Sequence, residues 1–113
     1  MISKKYRVSR LKIEPIIKKG KETQSSLFLI RYITNNRNFD RFAVIISKKI
    51  NKLAVKRNLL RRQLFESIRD QYKENLKKQH FDIVLIPKKI IINKTFQDIK
   101  EDVKNILSNP HLN

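Results

Sequence analysis

Residues 47–69, SKKINKLAVKRNLLRRQLFESIR, constrain this chain more than any other stretch. A hydrophobic run ends there, and from residue 52 to residue 86 no glycine or proline interrupts a helix. Asn51 carries the side-chain oxygen of an N-cap, and the pattern predicts a helix over about residues 52–78. At roughly 100° per residue, Leu60, Leu64, Ile68 and Tyr72 share one arc with Ala54, Phe65 and Leu76 on its flank. Arg62, Arg69 and Lys73 project from the other side, with Asn58 beside them. Arg57 and Arg61 fall on the apolar arc, which requires them to lie near its end, where the helix overhangs the core. One face packs and the other is left to bind.

Lys48, Lys49, Lys52, Lys56, Arg57, Arg61, Arg62 and Arg69 stand in this stretch against a single acid, Glu66. A helix face that is merely solvated interleaves both signs to limit repulsion. Cations in the first turns also oppose the helix dipole, whose N-terminal end is positive. A local cost of this kind points to an external polyanion. The whole chain has the same bias, with Lys+Arg 27 against Asp+Glu 10 and a formal charge of +17 in 113 residues. Such self-repulsion suits a strongly anionic partner. Nucleic acid comes first, with no DNA expected. A membrane surface comes second, but there is no lipidation motif, and the apolar runs LFLI, AVII and IVLI are too short to span a bilayer. The basic start MISKKYR is not followed by the apolar segment of a signal peptide, so the expectation is a cytoplasmic protein.

The length sets one domain, residues 1–113, with a modest core and a flexible basic start over residues 1–8. The absence of cysteine excludes disulfides and thiolate metal sites, and His80 and His111 are too distant in sequence to suggest a zinc site. Gly20 is the one glycine, which excludes a Gly-rich phosphate loop. Ile13, Ile16 and Ile17 recur at helical spacing before Gly20, which predicts a short helix over about residues 10–19 closed by a glycine cap, with Pro15 in its first turns. Residues 27–33, LFLIRYI, read as a strand after a short extended piece near residues 21–25. Residues 41–46 return as a second strand, and the polar TNNRN between them predicts an antiparallel hairpin. An exposed Tyr32 near Arg31 or Arg41 suits single-stranded RNA, and a core tyrosine is the alternative. Residues 81–86, FDIVLI, are continuously apolar but for Asp82, as in a strand buried on both faces mid-sheet, and Pro87 ends it. Thr95 with Asp98 makes a capping-box variant, and Phe96, Ile99, Val103, Ile106 and Leu107 mark one face of a last helix.

The run Ile46-Ser47-Lys48-Lys49-Ile50, then Ala54-Val55-Lys56-Arg57-Asn58 and Arg61-Arg62, resembles the signature of the bacterial ribonuclease P protein component. Its departures are specific. Leu59 replaces the second arginine of R-N-R, the glycine after the K-K pair is absent, Asn51-Lys52-Leu53 is one residue longer, and Pro87 stands where the family often has arginine. The resemblance spans roughly residues 6–108 in element order and spacing, and only residues 46–62 are specific enough to name a family.

The element order and the resemblance together imply an α+β fold: a single-domain α/β sandwich with a mixed four-stranded sheet and three helices, α-β-β-β-α-β-α. The left-handed βαβ crossover is expected from the resemblance alone. The resemblance further implies a subunit that binds the catalytic ribonuclease P RNA and the 5′ leader of precursor tRNA, with magnesium held mainly by the RNA. Catalytic RNA would meet Lys48, Lys49, Lys52, Lys56, Arg57, Asn58, Arg61, Arg62 and Arg69. A leader cleft would be lined by Ile13, Ile17, Phe28, Arg31, Tyr32 and Lys88.

No carboxylate pair suggests protein-only catalysis. Glu66, Asp70 and Glu74 follow one another along the basic helix, with Arg62 and Lys78 placed to pair with them. The competing readings are a ribosomal or ribosome-assembly RNA-binding protein and a protein-only nuclease. The second would require clustered acids for magnesium or a placed histidine, and the sequence displays neither.

Overall fold

The computed structural model describes residues 3–73 and 78–112. Four strands, β1 (Lys21–Gln24), β2 (Phe28–Thr34), β3 (Arg41–Val44) and β4 (Phe81–Pro87), form one sheet in the order β1-β2-β4-β3. Helix α1 (Arg10–Lys19) covers one face, while α2 (Ala54–Gln71) and α3 (Phe96–Leu107) cover the other. The α/β sandwich with three helices and a mixed four-stranded sheet is the expected architecture.

The expected hairpin between β2 and β3 does not form. β4 lies between them, antiparallel to β2 from Phe28↔Pro87 to Thr34↔Phe81 and parallel to β3 from Arg41↔Asp82 to Val44↔Leu85. The reason is burial. β4 is the run apolar on both faces, and only a central position covers both, whereas a β2–β3 hairpin would leave it at an edge. Residues 35–40 therefore cross the start of β4. Asn35 N–H donates to the His80 carbonyl (2.9 Å), and the buried Asp40 carboxylate accepts Phe81 N–H (2.6 Å).

Side-chain alternation along the strands divides the core. Phe28, Ile30, Tyr32, Phe42, Ile83 and Leu85 face α2 and α3, meeting Leu64, Phe65, Ile68, Ile99, Val103 and Ile106. Ala43 and Val84 face α1 and meet Ile16 and Val8, with Ile13, Ile17, Ile33, Ile45 and Ile86 around them. On that face Arg41 and Asp82 form a buried bidentate pair, Nε to Oδ1 at 2.8 Å and Nη2 to Oδ2 at 2.6 Å, and Asn35 Nδ2 donates to the same carboxylate at 2.9 Å. Burial pushes the Asp82 carboxyl up, but these donors outweigh it and hold it below the usual aspartate range.

Three local expectations change. Gly20 ends α1 with φ −71° and ψ 161°, an extended residue rather than a left-handed cap. Its requirement is space, because a Cβ there would collide with the Ile16 carbonyl oxygen and stand 2.9 Å from the Tyr32 carbonyl oxygen. Residues 4–8, expected as a flexible tail, dock along β3. Val8 is buried with its N–H on the Phe42 carbonyl (2.8 Å), and the Tyr6 ring meets Phe39 and Tyr72 edge-on. Helix α2 is shorter than the expected 52–78, ending at Gln71, and Glu74 and Leu76 lie outside the described residues. The Thr95–Asp98 capping box is present, with Asp98 N–H on Thr95 Oγ1 (3.2 Å) and Thr95 N–H on Asp98 Oδ2 (3.0 Å).

Candidate nucleic-acid interface

Helix α2 is only half embedded. None of residues 54–59 is buried, core packing begins at Leu60 and Leu64, and the first turns project past the sheet. That resolves the conflict in the periodicity, since Arg57 and Arg61 lie on the apolar arc where it has run beyond the core. Leading into the helix, Lys49 N–H donates to Ser47 Oγ (3.2 Å) and Ile50 N–H to the Ser47 carbonyl (3.1 Å). Asn51 is not the N-cap. Its Oδ1 accepts Leu53 N–H (3.0 Å), and Leu53 occupies the cap position without a side-chain acceptor. The positive end of the helix thus lacks a side-chain cap and an acid in its first turn.

The cations around this end divide by their partners. Lys48, Lys49, Lys52, Lys56 and Arg62 are exposed, and their side chains make no hydrogen bond or ion pair among the described residues. Arg57 Nη1 donates to the carbonyls of Asn51 (2.8 Å) and Lys52 (2.9 Å), bracing the entering loop against the helix. Arg61 Nη1 donates to Asn58 Oδ1 (2.9 Å), which fixes both side chains on one turn. Arg69 lies beside Asp70 at 3.3 Å with both half exposed, a pair too solvated to neutralise it. Sequence reading missed three exposed apolar neighbours, Leu53, Val55 and Leu59. Val55 and Leu59 fall outside the packing arc, which was the available signal.

Because β3 and β4 are parallel, their ends lie at the same edge of the sheet, so Lys88 and Lys89 share that pole with Lys48 and Lys49. Lys88 is engaged there, its Nζ donating to Gln24 Oε1 (2.7 Å) and the Ser25 carbonyl (2.8 Å).

The residues expected to line a cleft separate into two groups. Ile13 and Ile17 are half-buried on the α1 face of the sheet. Arg31 joins them, with Nη2 on the Ile17 carbonyl (2.6 Å), Nη1 3.3 Å from Glu22 Oε1, and a buried Nε without a partner. Phe28 and Tyr32 do not belong to this surface. Phe28 is 0% and Tyr32 6% exposed, both on the opposite face in the main core, with Tyr32 packed edge-on against Phe81. Both faces of β2 are covered by helices, so alternation alone could not assign which residues pointed where. Arg41, the other candidate neighbour of an exposed Tyr32, is buried against Asp82.

Among the described residues, no group of three or more His, Cys, Asp or Glu side chains is placed to hold a metal ion. No helix among the described residues is long and apolar enough to cross a membrane.

The ribonuclease P family model matches residues 2–111. The chain belongs to the ribonuclease P protein family. It is 36% identical over 93 residues to the ribonuclease P protein component of Clostridium botulinum, covering 81% of each chain, and 29% identical over 103 residues to that of Clostridium kluyveri, covering 90% and 91%. The solved RNase P protein from Thermotoga maritima superposes with a TM-score of 0.76 at 27% identity, covering 89% of this chain and 94% of that one. A Staphylococcus aureus RNase P protein mutant shares the fold at a TM-score of 0.79 and 23% identity, over 97% and 92% of the two chains. Membership decides against the ribosomal alternative. As a ribonuclease P protein component, the chain is a subunit of an endoribonuclease whose partner is the ribonuclease P RNA, and the family's reaction depends on metal ions.

Proposed function

We propose that the projecting end of α2 and the loop before it hold the catalytic RNA through Lys48, Lys49, Lys52, Lys56, Arg57, Asn58, Arg61, Arg62 and Arg69. The observation that carries this reading is that Lys48, Lys49, Lys52, Lys56 and Arg62 are exposed and make no side-chain hydrogen bond or ion pair among the described residues, at a helix end without a side-chain cap. Lysines and arginines placed on closely spaced phosphates release condensed counterions and let RNA elements approach one another. Arg57 and Arg61 hold the loop and helix turn in shape, so the cations meet the RNA already oriented. The 5′ leader of precursor tRNA passes along the groove beside α1, over Ile13 and Ile17, with the guanidinium of Arg31 below and Lys88 at the far pole. Ile13 and Ile17 are aliphatic, which supports contact with riboses and base edges rather than stacking. Magnesium is held mainly by oxygens of the RNA, the protein alone does not cleave, and the holoenzyme works in the cytoplasm.

The test is cleavage of precursor tRNA with magnesium at near-physiological salt, using protein alone, cognate ribonuclease P RNA alone, or both. Faster release of the 5′ leader only when both are present is the expected result. Cleavage by protein alone would refute the division of labour, and an active RNA unaffected by protein would refute the subunit role.

A further inference from the structure

The pole of the sheet opposite the signature stretch carries a second concentration of cations. Here β2 ends at Thr34 and β4 begins at Phe81, about 20 Å of strand away from Lys88. Three hollows of about 350, 480 and 590 Å³ meet at Thr34. Lys19 and Lys21 line the first, Lys12 and Arg37 the second, and Arg37 with Lys78 the third. Among the described residues, Asp82 is the one carboxylate on these walls, and Arg41 already neutralises it. The loop that divides the hollows is preformed. Asn35 accepts Arg37 N–H (3.0 Å) and donates to the Phe39 carbonyl (3.3 Å) and to Asp82. Asn36, Asn38 and Gln79 line the 590 Å³ hollow, and their side chains make no hydrogen bond among the described residues.

Cations without acids call for phosphate, and amides that both donate and accept match the edges of nucleobases. Base edges are within reach only where the bases are unpaired, and hollows of this size admit single nucleotides but not a double helix. We propose that this pole is a second RNA-binding surface, which takes a short single-stranded segment across residues 34–38. Arg37, Lys78 and Lys21 hold its phosphates, and its bases enter the hollows on either side. This surface is separate from the α2 end and holds whether or not the leader follows the α1 groove.

The experiment measures anisotropy of a labelled single-stranded oligoribonucleotide of about ten nucleotides, with a duplex of equal length as competitor. The full-length protein is compared with Arg37→Gln/Lys78→Gln, both exposed positions, and with Lys48→Gln/Lys56→Gln/Arg62→Gln at the opposite pole. Losing two phosphate contacts should weaken the oligonucleotide about tenfold near 100 mM salt and flatten the plot of log affinity against log salt by about 1.4. A 4-thiouridine oligonucleotide should crosslink within residues 34–38 or 78–80. Affinity for ribonuclease P RNA should remain within about twofold in the Arg37→Gln/Lys78→Gln protein and fall in the other variant, which tests the α2 assignment separately. An unchanged oligonucleotide affinity and salt slope, crosslinks confined to residues 47–62, or equal competition by duplex would overturn the proposal.

Discussion

Replacing Asp82 with alanine should destabilise the protein far more than an average surface change, because it removes one partner of a buried ion pair and leaves the other. Asp82 and Arg41 have side chains only 5% and 10% exposed, and both guanidinium bonds are charge-assisted, at 2.6 and 2.8 Å. Without the carboxylate, the Arg41 charge has no buried counterion and Asn35 loses an acceptor at the loop that crosses β4. Breaking such a pair costs on the order of 3–5 kcal/mol, a large share of the roughly 5–15 kcal/mol available to a domain of this size. Urea unfolding followed by circular dichroism measures it. A paired replacement, Arg41→Met with Asp82→Leu, should recover most of the loss, since the net value of a buried pair over apolar packing is small. The pair also sets a pH dependence. The Asp82 carboxyl is held below its ordinary range, so its contribution is complete above about pH 4 and is lost as pH falls through its folded value. Asp82→Ala should therefore show a shallower acid loss than the unmodified chain. A cost under about 1 kcal/mol for Asp82→Ala, or a paired variant as unstable as the single one, would refute the reasoning.

Gly20→Ala should lower the urea midpoint clearly, because the added Cβ meets backbone on two sides and neither the α1 end nor β2 can withdraw without opening the α1 face. Thr95→Ala should cost about 1 kcal/mol by removing the N-cap of α3, read by the same unfolding assay, with Thr95→Ser retaining most of the stability. Lys48→Gln/Lys56→Gln/Arg62→Gln should reduce the salt slope of ribonuclease P RNA binding by about 2–3 while leaving the thermal midpoint almost unchanged, because these exposed side chains make no hydrogen bond or ion pair among the described residues. A filter-binding titration across salt concentrations checks it, and a slope equal to the parent's would remove these residues from the interface.

The basic stretch was legible because its signal is local. A helical period, a one-signed charge and the S-K-K and A-V-K-R-N runs are all read within a few turns. The same local physics located α1, the strands and the capping box of α3. The residues expected to line a cleft were legible only in part, because Ile13 and Ile17 reveal their period while Phe28 and Tyr32 reveal only an alternation. On a strand covered by helices on both sides, alternation names two sets of residues and leaves open which set faces which helix. Leu53 illustrates a related gap, since an apolar residue on the packing arc at a helix start reads as core until the helix is seen to outrun its core.

What the sequence determined by itself was the inventory: helices and strands in their chain order, an excess of positive charge and the segment in which that charge cannot be self-neutralised. Tertiary structure decided the order of the strands and everything that follows from it. A central β4, chosen because it is apolar on both faces, separates β2 from β3 and forces residues 35–40 across its start. Its parallel pairing with β3 gathers Lys48, Lys49, Lys88 and Lys89 at one pole and Lys12, Arg37 and Lys78 at the other. These neighbours are far apart in the chain, and burial of the central strand rather than any local preference brings them together.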